Sequence, residues 1–255
     1  MAIIALRGWY IDKYEPIQEL KKRPYDIRLS KNSLLKSGLR ADFLEESSEI
    51  EQTEWFNRYL WGELVEFYIE GSGGYAISNI DLSSHEIYFH KHDVMAHLDP
   101  KILLCRQDEY PEASVALQEH LEQFVSEFNR RSRIPLTLEI SKRPSEGATR
   151  LSPHQMRQIR KSLLFVADTT PLAVTPGDDP QLLPSPNVCI ELGYALQSKR
   201  VEQIVLAKME RSDLSGQFPF DLPTYQQLEF RDANGLGHVL PHLMESMLQR
   251  FNLVF

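Results

Sequence analysis

Residues 162–196 read SLLFVADTTPLAVTPGDDPQLLPSPNVCIELGYAL. The stretch opens on an apolar run, Leu163-Leu164-Phe165-Val166-Ala167, with the length and bulk of a buried strand, and the run ends in Asp168-Thr169-Thr170-Pro171. A loop rich in Pro, Gly and Asp follows. Ser185-Pro186 then opens a helix, with Ser185 as N-cap and proline at the first helical position. That helix, 187–196, is apolar on nearly every side, which predicts burial. Glu191 is its one charged residue. At about 100° per residue it falls among Val188, Tyr194 and Ala195, and no lysine or arginine stands three or four positions away. Two readings of Glu191 stand side by side. One is a good helix former whose tip reaches solvent. The other is a carboxylate at the mouth of a pocket, on the edge where open α/β sheets hold their ligands.

The flanking sequence extends the pattern. Lys101-Ile102-Leu103-Leu104-Cys105 reads as a buried strand, and a helix over 112–130 keeps Val115, Leu117, Leu121, Phe124, Val125 and Phe128 near a 3.6 period. A second strand over 136–140, a polar loop over 142–150 and a helix capped by Ser152 with Pro153 inside it lead to the strand at Leu163. Strands follow over 201–209 and 227–230, and a closing helix spans 236–251. Strands alternating with helices imply a parallel sheet covered on both sides, a flavodoxin-like doubly wound domain over 99–255. The polar strand ends (Arg106, Gln107, Asp108 and Glu109; 141–143; 168–171) then share one edge with the start of the Glu191 helix. No G-x-G-x-x-G follows the first strand, and neither a P-loop nor a G-x-S-x-G occurs, which disfavours dinucleotide dehydrogenases, P-loop ATPases and serine hydrolases of that type.

Residues 1–98 read differently. Positions 1–44 carry nine Lys and Arg against five Asp and Glu, and positions 45–70 carry one Arg against eight Glu. Such a charge reversal marks two solvated faces, or a basic surface (Lys21, Lys22, Arg23, Arg28, Lys31) that receives a phosphate-bearing ligand or a partner. Leu34-Leu35, Leu39 and Phe43-Leu44 suggest a short helix, and a helix is expected over 49–61. Strands are expected over 65–69, 75–80 and 86–89, giving a small α+β domain. His90, His92 and His97 with Asp93 invite a metal reading, but no second ligand pair of recognised spacing follows, so no metal is expected.

The totals set bounds. The chain has 255 residues, 42% apolar and 25% charged, as in ordinary globular proteins. A net charge of −8 argues against a nucleic-acid-coating role. The absence of a long apolar run or a basic leader argues against a membrane span or secretion signal, so a cytoplasmic protein is expected. Cys105 and Cys189 are expected as small core residues rather than a disulfide.

The segment Val166-Ala167-Asp168-Thr169-Thr170-Pro171, followed by Pro186-Asn187-Val188-Cys189-Ile190-Glu191-Leu192-Gly193-Tyr194-Ala195, resembles the bacterial TIR-like and nucleoside deoxyribosyltransferase-like group. Phe218-Pro219-Phe220-Asp221-Leu222 is similar to a segment of bacterial TIR-like proteins. The resemblance covers 101–255. It implies attack on an N-glycosidic bond, with Glu191 as the catalytic carboxylate, Asp168 orienting ribose or base, and Asn187 holding the loop or a sugar hydroxyl. Arg106, Gln107, Asp108, Thr169, Pro171, Ser185 and Tyr194 complete the expected substrate surface. Cys105-Arg106-Gln107 departs from the aromatic-and-serine pattern usual at that strand end in TIR domains. NAD is the expected substrate, with no further cofactor, because nicotinamide is already cationic and departs neutral. That reading is an NAD glycohydrolase of antiviral defence, active as a homo-oligomer or partner-activated assembly with residues 1–98 regulating it. Its alternatives are a nucleoside deoxyribosyltransferase or nucleotide N-glycosidase, and a nucleotide-binding module without catalysis.

Overall fold

The computed structural model describes residues 5–34, 38–92, 94–142, 150–221, 223–251 and 253–254. Two compact units divide the chain, 1–97 and 98–255.

In the first unit, β1 (Ala5–Tyr10), β2 (Ile27–Leu34), β3 (Gly38–Phe43), β4 (Glu66–Ile69), β5 (Gly73–Asp81) and β6 (Glu86–Lys91) form a closed barrel in the order β1-β2-β3-β6-β5-β4. Antiparallel pairing of β1 with β4, Trp9 opposite Tyr68, closes it. Strand alternation fills the interior: Ile27 and Leu29, then Leu39, Ala41 and Phe43, then Phe67 and Ile69, share one buried cluster. Three short helices, α1 (Ile17–Leu20), α2 (Ser47–Glu51) and α3 (Glu54–Leu60), decorate the barrel. Trp55 and Phe56 of α3 join that cluster, Trp55 standing edge-on to Phe67 at 5.2 Å.

Several expectations for this unit are corrected. The described part of the stretch expected to be a short helix, from 38 onward, is strand β3, because Leu39, Ala41 and Phe43 bury with period two. The single helix expected over 49–61 is two, since Thr53 breaks the run. Its hydroxyl bonds back to Ile50 O at 2.7 Å and caps the next helix through Phe56 N at 3.2 Å. The basic residues are matched locally: Lys22 with Glu19, Arg23 with Glu15 and Asp26, and Arg28 with Glu45. His92 meets Glu66 at 2.7 Å, while Asp93 lies outside the described residues. No group of three or more His, Cys, Asp or Glu fit for a metal occurs among the described residues.

In the second unit, β7 (Asp99–Cys105), α4 (Pro111–Phe128), β8 (Thr137–Ile140), α5 (Pro153–Lys161) and β9 (Ser162–Asp168) follow one another. A two-stranded hairpin, β10 (Ala173–Val174) and β11 (Leu182–Leu183), was not expected. It precedes α6 (Pro186–Ser198), β12 (Ile204–Met209), β13 (Gln227–Phe230) and α7 (Ala233–Gln249). Five strands form a parallel sheet in the order β13-β12-β9-β7-β8. Helices α4 and α7 pack together, as do α5 and α6, so the sheet is covered on both faces. Strand β9 is its centre, with every residue buried. Ser152 and Gln155 form a reciprocal capping box on α5. Cys105 is buried and Cys189 half-buried, and the two are not joined in a disulfide. Among the described residues, no helix is long and apolar enough to cross a membrane.

Two predictions follow from packing. A methyl group on Gly74 would lie 2.6 Å from His92 O and Val94 Cγ2. Gly74→Ala is therefore expected to cost the barrel about 1–3 kcal/mol. Urea denaturation followed by tryptophan emission reads this unit selectively, because Trp9, Trp55 and Trp61 all belong to it. An unchanged midpoint would show that the strand yields freely.

The second concerns Lys199, whose Nζ donates to Ser162 O at 2.5 Å and whose pKa burial lowers from 10.5 to about 7. A depressed amine destabilises the fold as pH falls from 10.5 towards 7, because the unfolded chain takes up the proton first. Lys199→Met should flatten the rise in stability across that window. A slope equal to wild type would place the ammonium in water.

Candidate functional site

The reversal of strand order lies between β7 and β9, at their carboxyl ends. Crevices at such reversals are where open α/β sheets take ligands. Here a hydrogen-bonded cluster fills that place. Gln107, just past β7, is fully buried, and its Nε2 donates to Asp168 Oδ1 at 3.2 Å and to Thr170 O at 3.0 Å. The Thr170 amide donates to the same Oδ1 at 3.1 Å. Ser114 of α4 supplies the fourth contact, its Oγ lying 2.6 Å from both Asp168 Oδ2 and Gln107 O.

That geometry constrains protons. A serine hydroxyl has one hydrogen to donate and lone pairs to accept. With two acceptor oxygens at 2.6 Å, that hydrogen is shared between Asp168 Oδ2 and Gln107 O. Asp168 has no exposed surface, and burial pushes its pKa above 3.8 against the opposing pull of the bonds from Ser114, Thr170 and Gln107. Gln107 Oε1 is buried and meets no hydrogen-bond donor among the described residues.

The neighbouring threonines complete the joint. Thr169 is buried, its amide and hydroxyl both donating to Ala207 O at 2.7 and 3.0 Å. Thr170 Oγ1 accepts from Met209 N at 2.9 Å. The motif residues after β9 thus tie it to β12 rather than facing an open surface. Pro171 is buried and its carbonyl accepts from Arg211 at 3.4 Å.

Glu191 is 1% exposed, so the reading with its tip in solvent is overturned. It sits in the stripe Val188, Glu191, Leu192, Ala195 that α6 turns inward. The three apolar members join one cluster with Phe165 and Ala167 of β9 and Leu206 of β12, and Tyr194 packs against that cluster. The helix is not buried all round, since Ile190 and Leu196 are 42% and 39% exposed on its outer face. Asn187 is half-buried in the first turn.

Other expected residues separate from this cluster. Ser185 occupies the N-cap position of α6 without making the capping bond. Its buried hydroxyl donates instead to Glu109 Oε1 at 2.9 Å. Arg106 pairs with Asp108 at 2.9 Å and also donates to Gln118. At the same rim, the Arg211 guanidinium lies 4.6 Å over the Tyr110 ring and pairs with Asp213. Glu109 lies on the expected edge, while Ser114, Tyr110 and Arg211 escaped the sequence reading because each meets its partner from a distant segment. Tyr110 nevertheless places an aromatic ring near a strand end that lacks one within Cys105-Arg106-Gln107.

Asp168→Asn tests what burial does to this carboxyl. Its amide is uncharged and can accept from Gln107 and Thr170 and donate to Ser114. A raised acid contributes stability fully below its unfolded pKa near 3.8 and loses it as pH rises through the folded value. Asp168→Asn should equal wild type in acid and be the more stable at neutral pH. Asp168→Ala should lose about 1–3 kcal/mol at either pH by stranding buried partners. Thermal melts across pH decide it: an Asn variant as damaged as the Ala variant at neutral pH would mean an ionised Asp168.

No family model matches the chain, and no curated protein does. Among solved structures, the chain is similar to the metal-soaked Flv1 flavodiiron core from Synechocystis sp. PCC6803, at 13% identity and a TM-score of 0.35. The match covers 61% of this chain and 36% of that one, so this chain spans little more than a third of its neighbour.

Proposed function

We propose that the second unit is a TIR-like domain of flavodoxin-like architecture that cleaves NAD to ADP-ribose and nicotinamide, serving as a cytoplasmic effector of bacterial antiviral defence. The observation that carries this reading is Glu191, a carboxyl-bearing side chain 1% exposed in the inward stripe of the helix that follows the central strand. Valine or leucine would also fill that stripe, and functional sites are where buried ionisable side chains concentrate.

In the proposed reaction the C1′–N bond breaks with its electron pair passing to the pyridinium nitrogen, so nicotinamide leaves neutral. Positive charge grows on the ribose, and the Glu191 carboxylate stabilises it. Water then adds at C1′ and gives up a proton. Proton supply favours NAD over nucleosides. A purine or pyrimidine leaving group needs a donor, and Asp168 is sealed with both oxygens engaged by Ser114, Gln107 and Thr170. Asp168 in this reading positions the β7 and β9 ends instead of touching substrate.

The closed state of Glu191 favours a second reading, a module that holds a nucleotide without cleaving it. Within the enzymatic reading, the same closure makes activity depend on a rearrangement driven by assembly or by a partner. The exposed Ile190 and Leu196 on the outer face of α6 support self-assembly as that trigger.

The test is nicotinamide release from NAD by the concentrated full-length chain, read by chromatography. Glu191→Gln should lower turnover about 100- to 1000-fold while leaving NAD binding by calorimetry within a few-fold. Equal turnover by both proteins would remove Glu191 from the chemistry. Tight NAD binding with no product from wild type would favour the binding module.

A further inference from the structure

One turn of chain in the first unit leaves three large apolar side chains in water. Trp61 is 75% exposed, Leu60 63% and Leu64 59%, while Trp9 and Trp55 are each 2% exposed. Single exposed leucines need no explanation, but a tryptophan flanked by two leucines in one turn does.

The turn that carries them is rigid. Gly62, at φ +81°, ends α3: its amide bonds to Tyr59 O at 2.9 Å and the Glu63 amide to Arg58 O at 3.0 Å. These are the paired bonds of a Schellman helix end. The two residues that usually make an apolar contact in that motif here make an ion pair, Arg58 Nε to Glu63 Oε2 at 2.6 Å. Arg58 also reaches Asp12 at 2.5 Å and the Tyr10 hydroxyl at 2.6 Å, which fastens the turn to the barrel. Leu60, Trp61 and Leu64 are therefore displayed from a fixed base, which lowers the ordering cost of a partner docking there.

Charge selects the partner. Residues 45–70 hold eight glutamates and one arginine, and that arginine is committed to Asp12 and Glu63. Glu54 and Asn57 lie along the same exposed stripe of α3 as Leu60 and Trp61, at spacings of three, four and seven, and Glu51 is exposed just before it. We propose that Leu60, Trp61 and Leu64 form a docking surface for a segment of another protein that presents apolar side chains flanked by lysine or arginine. A two-fold contact with a second copy would set the same glutamates against each other. Of the basic residues of 1–44, Lys22, Arg23, Arg28 and Arg40 already pair with Glu19, Glu15, Glu45 and Glu86. An anionic lipid surface is repelled by the same row.

Trp61 reports on its own surface, because the other two tryptophans are buried. The full-length chain is titrated with a short helical peptide of leucine and lysine, and with its leucine-glutamate counterpart. The lysine peptide should shift Trp61 emission to the blue, shield it from acrylamide and bind less tightly as salt rises, while the glutamate peptide does neither. Leu60→Ser with Leu64→Ser, and separately Glu51→Lys with Glu54→Lys, should each weaken binding roughly tenfold with the reporter retained. Unchanged emission from buried Trp9 and Trp55 checks the fold. No shift with the lysine peptide, or equal shifts with both peptides, overturns the proposal. A shift that grows with protein concentration alone, matched by dimers in sedimentation, assigns the surface to a second copy instead. A stronger shift on phosphatidylcholine–phosphatidylglycerol vesicles assigns it to lipid.

Discussion

One buried carboxyl group governs how the two central strands of the parallel sheet are joined. Ser114 Oγ donates to Asp168 Oδ2 and stands equally close, at 2.6 Å, to the Gln107 carbonyl, so one hydroxyl reaches both strand ends. Around that joint the strand ends lock in turn: Gln107 crosses from β7, Thr170 bonds to β12, and Thr169 doubles its bond to Ala207. The crevice expected where the strand order reverses is therefore bridged from within. Asp168 belongs to the frame, and Glu191 remains as the carboxyl group whose burial the frame does not explain.

The two units reach stability by different routes. The barrel satisfies its strands by closure and fills its interior with alternate residues plus Trp55 and Phe56 from a short helix. The parallel sheet depends on helices over both faces, and its central strand is buried from end to end. The candidate surfaces divide along the same line: buried carboxyl groups at the sheet, and an outward apolar turn on the barrel.

The sheet was largely legible because its signals are long and local. The run 163–167 is too short for a helix and too apolar for an exposed strand, and Ser152-Pro153 announces α5 within two residues. The barrel was not. Leu39 and Phe43 stand four residues apart, a spacing that serves a helix face and a strand face equally, and intervening Ala41 is too small to break the tie. A shift in register between Lys31 and Ser33 interrupts the alternation that would have exposed β2. At the candidate site, Asp168 and Glu191 were visible from the motif, yet their surroundings were not. Ser114 lies 54 residues from Asp168 and Glu109 lies 76 from Ser185, separations at which no local pattern carries information.

The sheet's outermost strands, β8 and β13, are four residues each, and Glu139 and Glu229 on them are tied back to Lys101 and Lys208 of the adjoining strands. So little unpaired backbone, guarded by charge, is a poor template for another chain to extend. The barrel, being closed, offers no such border at all. Contacts between copies of this sheet or this barrel therefore fall to side chains on helices and turns, a route distinct from the backbone-zippered one to fibrils.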